Sequence, residues 1–398
     1  MNDKKRIYLD YNATAPISGE VKAEMISAID LYGNASSMHT SGREARVQIE
    51  SARRSIAKLI GVSAAEDVIF TSGGSESNNM VFQSARDIIS SPDGGGRFGG
   101  RTEIITTAIE HPCVLNSAKY LKSLGYKVTI LPVDEDGKIK ISAFEAALSE
   151  RTLLVSVMFA NNEIGVVQDM KEIVRLAKNA GAFVHTDAVQ AVGKIPVNAQ
   201  ELGVDYLTMS CHKIYGPKGV GALYRRRGAP LGPLIHGGHQ EDGLRAGTYN
   251  TLGILGFGKA AEIAGARLSE YQEKTGALRR RLRDGLAAAV PNIRVNGHPE
   301  DVLPNTLNVS FPGAEGEAIL LRLDMKGIEV STGSACASGS LDPSHVLMAI
   351  GVRQELAHGS VRFSFGWDNT PDDVDYVLEV LPEIIKNLRA MSTIKSGE

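Results

Sequence analysis

Asp205–Arg226, DYLTMSCHKIYGPKGVGALYRR, reads as strand, tight polar turn, strand. Asp205–Met209 is mostly apolar and β-prone, and Gly219–Tyr224 is a second short apolar run. Ser210-Cys211-His212-Lys213 lies between them, closed by Gly216-Pro217-Lys218-Gly219. Gly and Pro there break any helix and turn the chain. One lysine, Lys213, is thereby pinned on a stiff turn at a strand end. A fixed amine whose pKa its surroundings can lower is what a Schiff base needs. Taken alone, a solvated turn lysine fits the same residues.

The alternation extends upstream. Val68–Phe70, Glu103–Thr107, Lys127–Leu131, Leu153–Met158 and Ala182–Thr186 read as strands. Helices are expected from Glu76 onward and at Val114–Leu124, Ser142–Ser149 and Met170–Ala180, with Ser142 placed to cap its own helix. Earlier still come a short strand Ile7–Leu9, a loop from Tyr11, a helix Val21–Leu31, and a long helix from Ser41 to Ile60 that Gly61 stops. Strands alternating with helices predict a mostly parallel central sheet covered by helices on both faces. Gly94–Gly100, GGGRFGG, reads as a flexible surface insertion without chemistry. After Thr251 the pattern changes. Leu252–Ala289 is mostly helical, Leu307–Phe311, Ile328–Val330 and Val361–Phe365 look like strands, and a helix Pro371–Leu388 closes the chain. At 398 residues the chain exceeds what one core supports. The expected fold class is α/β: a large domain over 15–258, and a smaller α+β domain built from 1–14 and 259–398.

Apolar residues make up 43% and charged residues 22%, the balance of an ordinary soluble domain. The net charge of −3 calls for neither nucleic acid nor an anionic membrane surface. No apolar run is long enough to span a bilayer, and MNDKKRIYLDYN has no signal-peptide core, so a cytoplasmic location is the default expectation. The cysteines Cys113, Cys211 and Cys336 are far apart, with neither disulfide nor metal-ligand spacing, so no metal site is expected.

In parallel α/β sheets ligands gather at the carboxyl ends of strands, and four segments lie there. Thr71-Ser72-Gly73-Gly74-Ser75-Glu76 follows a strand and opens a helix, so its amides and the Ser75 hydroxyl can bind phosphate. Such Gly/Ser turns are also common without a ligand. His111, in Ile109-Glu110-His111-Pro112, suits a helix cap, an aromatic plate or a proton carrier. Asn161 and Asn162 follow a buried strand and need partners, which turn backbone alone would supply. Asp187 ends an apolar strand and wants a cationic partner, with Gln190 on the same side of the next turn. A phosphate cradle, an acid, an amide, a stacking histidine and an imine-forming lysine are together what pyridoxal phosphate requires.

Two further segments stand in the smaller domain. Ser331–Ser340, STGSACASGS, surrounds Cys336 with Gly, Ser and Ala rather than apolar residues, which predicts an exposed, mobile and reactive thiol on a loop of about 331–342. Arg362 stands on the alternating strand SVRFS, where a bidentate carboxylate contact or a structural ion pair would use it.

At this point the chain resembles the class I cysteine desulfurases of the nitrogen-fixation and iron–sulfur-cluster-assembly type, a pyridoxal-phosphate-dependent fold-type I family. The matching segments are YLDYNATAP, TSGGSESNN, Glu110-His111, NNEIGVVQ, HTDAVQ, SCHKIYGPKG, GGHQEDGLRAGT, STGSACASGS and HGSVRFSFG, in order and almost end to end. SCHK together with GSAC is highly specific. The resemblance implies that Lys213 holds the cofactor covalently and His111 stacks on its ring. It implies that Asp187 pairs with the ring nitrogen and Gln190 bonds the ring hydroxyl. Gly74, Ser75, Ser210 and His212 would hold the phosphate, with Thr248 from a second subunit. Asn162 and Arg362, helped by Asn34, would take the substrate carboxylate, and Cys336 would accept the sulfur. Implied partners are L-cysteine, a sulfur acceptor or iron–sulfur scaffold protein, and a second copy in a homodimer. Gly74-Ser75 departs from a frequent Ala-Thr, GGGRFGG is an addition, and Cys113 and Cys211 match no catalytic position. A selenocysteine lyase or an aminotransferase of the same fold is the alternative; transamination does not need Cys336.

Overall fold

The computed structural model describes residues 6–91, 96–332 and 343–391. It opens with β1 (Ile7–Tyr8). The next seven strands form one sheet: β2 (Val68–Thr71), β3 (Glu103–Thr107), β4 (Lys127–Leu131), β5 (Thr152–Ser156), β6 (Phe183–Asp187), β7 (Tyr206–Ser210) and β8 (Gly221–Arg225). Their spatial order is β2-β8-β7-β6-β5-β3-β4. Pairing is parallel from β7 across to β4 and antiparallel where β8 joins β7 and β2. β2, β3, β5 and β7 are buried along their whole length, which is why they carry Val, Ile and Leu with little alternation.

Downstream, β9 (Arg294–Asn296), β10 (Thr306–Ser310) and β12 (Ser360–Ser364) make an antiparallel sheet in the order β12-β10-β9, while β11 (Ile328–Glu329) pairs parallel with β1. One apolar cluster joins Ile7 and Leu9 to Leu278, Leu282, Val309, Phe363 and Val377. Two others lie on the large sheet and its helices. Val346, Leu347 and Ile350 belong to one of these, so the helix His345–Ala349 packs toward the large sheet.

Several sequence expectations shift. The first helix is Gly19–Ser27, not Val21–Leu31; beyond it Ala28 and Leu31 still pack on the core while Ile29 and Tyr32 are exposed, so the apolar spacing outlasts the helix. Ser142 does not cap its helix: the helix is Ile141–Ala147, with Lys140 at the cap position and no side-chain cap bond. Within the glycine-rich insertion, Gly96–Phe98 is a 3₁₀ turn and the Phe98 ring meets Phe183 edge-on at 5.7 Å. The helices Ala199–Leu202, Gly316–Asp324, His345–Ala349 and Gln354–His358 and the strand β9 were not anticipated.

Candidate active site

The turn after β7 carries Lys213 at the end of a 3₁₀ segment, Cys211–Lys213. Two features lock it. A Cβ on Gly216 would sit 2.0 Å from the Cys211 sulfur, so only glycine lets the turn fold over that buried thiol. Tyr215 takes a left-handed φ of +67°, held because its hydroxyl accepts the Trp367 N–H at 2.8 Å. The Lys213 amine then donates to the backbone carbonyls of Asn12 and Ala13, both at 2.6 Å. His212 meets the Thr14 hydroxyl at 3.0 Å through Nδ1. Burial, then the nearby Lys213, Lys218 and Lys194, hold its ring down at about 4.

Asn12 is the centre of this arrangement, and nothing in the sequence singled it out. Its backbone carbonyl also accepts the Gln190 amide at 2.9 Å. Its side-chain oxygen accepts Lys194 at 2.8 Å and Asn305 at 3.0 Å, and its amide donates to Asn162 O at 3.1 Å and to the Thr306 hydroxyl at 2.8 Å. Its N–H reaches the Ser364 hydroxyl at 2.9 Å. Lys194 is 2% exposed and bonds only neutral oxygens, Asn12 Oδ1 and, at 2.5 Å, Gln190 Oε1. Burial first, then the charges of Lys213 and Arg362, hold its amine well below the usual lysine range. A lysine four residues past the candidate Gln190 was the available signal, and it was not singled out from the sequence.

Asp187, at the end of β6, is buried and accepts Asn78 Nδ2 at 2.7 Å and the Val189 N–H at 3.0 Å. Both donors are neutral, and among the described residues no cation pairs with it. Asn78 Oδ1 is buried and has no partner among the described residues. Close by, the helix Gly74–Ile89 begins after Gly73 without a side-chain cap bond. A Cβ on Gly73 would meet only the Ser210 hydroxyl, at 4.0 Å, so there is open space beside Gly73, while at the next residue a Cβ on Gly74 would already touch Thr208 and Ser210 of β7. A Cβ on Gly74 would press on Val189 at 2.8 Å, which suits glycine at the departure from Ala-Thr.

His111 caps the helix Pro112–Ser123, its Nδ1 accepting the Cys113 N–H at 3.2 Å. Burial pushes its ring below the usual range, while Asp187 opposes that shift. Glu110, beside it, accepts the Thr107 hydroxyl at 2.7 Å and the Met158 N–H at 2.9 Å through one oxygen, and the other has no partner among the described residues. Burial pushes Glu110 up to about 8 and Glu163 up to about 7. The folded protein therefore keeps a proton on each that the unfolded chain loses above its ordinary carboxylate pKa. Each such group supports stability below that value, and the support is lost as pH rises to about 8 or about 7, at about 1.4 kcal/mol per pH unit. Glu110→Gln, which mimics the protonated acid, is expected to flatten this slope in urea unfolding between pH 5 and pH 8; an unchanged slope would show that Glu110 is ionised.

Arg362 on β12 is buried and bonds Asp10 Oδ1 at 2.6 Å and Asn162 O at 3.1 Å, so the ion pair expected as one of its two uses is present, while among the described residues its Nε has no partner. Two expected residues stand apart. Asn34 is exposed and its side chain accepts the Ser36 N–H at 3.0 Å. Thr248 is exposed in the segment that follows Glu241 and, among the described residues, bonds none of the groups around Lys213. Cys336 lies outside the described residues. A cavity of about 1150 Å³ between the helices Thr40–Leu59, Met170–Asn179 and Thr251–Ala266 includes none of the site residues.

Residues 7–377 match the aminotransferase class-V family. A cysteine desulfurase IscS of Dictyoglomus turgidum is 47% identical over 393 residues, spanning 98% of this chain and 98% of the relative. Among solved structures, a NifS-like protein is 41% identical with a TM-score of 0.89, covering 96% of this chain and 100% of its own. SspA in complex with cysteine is 33% identical with a TM-score of 0.78, covering 91% of this chain and 99% of its own.

Proposed function

The chain belongs to the aminotransferase class-V family and is a pyridoxal-phosphate-dependent cysteine desulfurase, and from that premise we propose that Lys213 binds the cofactor and moves the substrate α-proton while Cys336 receives the sulfur. The observation that carries the assignment of Lys213 is its amine, held by two carbonyls on a locked turn at the end of β7.

The residues suit the cofactor. Asp187 offers a buried carboxylate with no cation among the described residues, as a protonated ring nitrogen requires. The helix start at Gly74 and Ser75, the open space beside Gly73 and the Ser210 and His212 side chains suit a phosphate. His111 would cover the ring, and Gln190, whose amide keeps a second N–H after bonding Asn12, would donate to the ring hydroxyl. When bound, pyridoxal phosphate supplies an aldehyde and a ring that stores the electron pair of the substrate α-carbon.

The chain's own groups do the rest. Arg362 and Asn162 orient the L-cysteine carboxylate, with the spare Arg362 Nε as the free donor. The Lys213 amine takes the α-proton, and the Asn12 and Ala13 carbonyls stabilise the ammonium that results. The Cys336 thiolate attacks the substrate sulfur. The carbon–sulfur bond breaks, a sulfur–sulfur bond forms on Cys336, and the carbon fragment keeps the electron pair, gains a proton on its β-carbon and the α-proton back from Lys213, and leaves as L-alanine. The persulfide then passes to an acceptor, for which an iron–sulfur scaffold protein is the proposed partner.

The same reading includes a cofactor-binding domain over 15–258 and a second domain from 1–14 and 259–398, supported by the separate apolar cluster around Leu282 and Phe363. It includes a homodimer, in which Thr248 serves the partner's site; exposed Ile26, Ile29 and Tyr32 support a covered face there. A cytoplasmic location is also proposed; no helix among the described residues is long and apolar enough to cross a membrane. Incubation with L-cysteine is expected to raise the mass of the Cys336 peptide by one sulfur atom, with alanine released. Cys336→Ala should abolish the persulfide; a variant that still forms alanine and protein-bound persulfide would end the assignment.

A further inference from the structure

We propose that Cys113, which the desulfuration does not consume, is a positioning residue that keeps His111 neutral with its one ring proton on Nε2, through a hydrogen-bonded run from Asp187 by way of Asn78. The donors fix the direction of this run. His111 Nδ1 accepts the Cys113 backbone N–H at 3.2 Å, and an N–H can only donate, so Nδ1 carries no proton. The Cys113 sulfur lies 3.0 Å from that same nitrogen, so the thiol supplies the hydrogen in that contact too. Asn78 Nδ2 has two hydrogens. One goes to Asp187 Oδ2 at 2.7 Å and the other to the Cys113 sulfur at 3.1 Å. The amide thus serves acid and thiol together, the thiol serves the imidazole, and the ring proton is left on Nε2.

A cysteine beside a histidine is more often read as a nucleophile with its base. The surroundings oppose that reading here. Burial first, then the charge of Asp187, push the Cys113 thiol up to about 12, and burial pushes His111 down, so the thiolate–imidazolium pair is disfavoured from both sides. The titratable groups around the two are Asp187, Glu110, Lys213 and His345, the last bonded to the Glu110 carbonyl at 2.9 Å. Ser75 also lies against the thiol, which places the run beside the proposed phosphate cradle. For the reaction, which rests on the reading above, a neutral ring with Nε2–H can cover the cofactor as a proton donor without adding a cation next to the Lys213 ammonium.

The test is ¹⁵N NMR of the holoenzyme with labelled histidine, the His111 signals assigned by their loss in His111→Gln, across a pH titration. The wild type is expected to show an unprotonated Nδ1 and a protonated Nε2. Cys113→Ala is expected to raise the proton affinity of His111 about three- to tenfold, the weight of one hydrogen bond. Cys113→Ser, which restores an O–H donor, should return it toward the wild-type value. An Nδ1–H signal in the wild type, an unchanged titration in Cys113→Ala, or a serine variant that behaves like alanine would each overturn the proposal. Because the signals come from His111 itself, they read the same whether or not Cys336 forms a persulfide, so failure of the desulfurase assignment shows separately.

Discussion

Lys213→Ala is expected to fold normally and to lose alanine production from L-cysteine by at least about a hundred- to ten-thousand-fold, the range of a positioned acid–base group. The loss should be deeper than that for any other single side chain around the site, because one amine is assigned two tasks. It binds the cofactor, and once released it carries the α-proton. Folding should be spared: the amine lies at the rim of the polar centre, and its bonds to Asn12 and Ala13 are to backbone carbonyls that retain other partners or water. Lys213→Arg is the sharper variant. It keeps a cation near the same carbonyls but cannot form the covalent bond, and its charge does not titrate in the working range. Both variants should also lose the colour that bound cofactor gains through the lysine. Wild-type alanine release from either would remove Lys213 from the reaction.

The second large effect concerns stability. Arg53, on the helix Thr40–Leu59, is buried against Glu241 in a two-pronged pair at 2.6 and 2.7 Å. The same arginine donates to the Val68 carbonyl at 2.6 Å and lies over the Phe70 ring at 4.6 Å, while Glu241 also accepts the Phe70 N–H at 2.8 Å. The pair therefore ties β2 and the first long helix to the segment that carries Thr248. Removing Arg53 strands the buried Glu241 charge, which costs about 3–5 kcal/mol, whereas removing Glu241 leaves Arg53 its less buried partner Glu50 at 2.9 Å. Arg53→Met is expected to lower the unfolding free energy, read from urea melts at pH 7, by that margin, and Glu241→Gln by less, since Glu50 still pairs with Arg53. The double variant should recover part of the loss, since two neutral groups no longer strand a charge. Equal and additive losses would mean that the pair does not act as a unit.

Much of the large sheet was legible. Glu103–Thr107 and Lys127–Leu131 stand where the sequence placed them, because short apolar β-branched runs bounded by polar turns leave few alternatives. The lysine turn was legible for the same reason: Gly and Pro fix the chain locally. Short helices such as Gly316–Asp324 were missed, since its first residue is glycine and its first turn has no side-chain cap bond. The residues that join the site together were missed for a different reason. Asn12, Lys194 and Asn78 have ordinary neighbours in sequence, and their parts are set by groups far along the chain. Gln190 was singled out for one expected partner, yet Lys194 holds one end of its amide and Asn12 O the other. Arg362 shows the converse. Its ion pair was foreseen as one of two uses, but only the fold reveals Asp10 as the partner and Nε as the atom left over.

The span of the Asn12 bonds has a consequence for the newborn chain. Its partners stand 150 to 352 positions downstream, from Asn162 to Ser364. The pairings with Asn305, Thr306 and Ser364 are the most remote, so they close slowly and cannot begin until most of the chain has left the ribosome. The parallel sheet, complete by Arg225, has no such wait. During synthesis, then, the framework can stand before the seat of the lysine is built, and a polypeptide stalled short of Ser364 would carry the amine with its bearing unfinished.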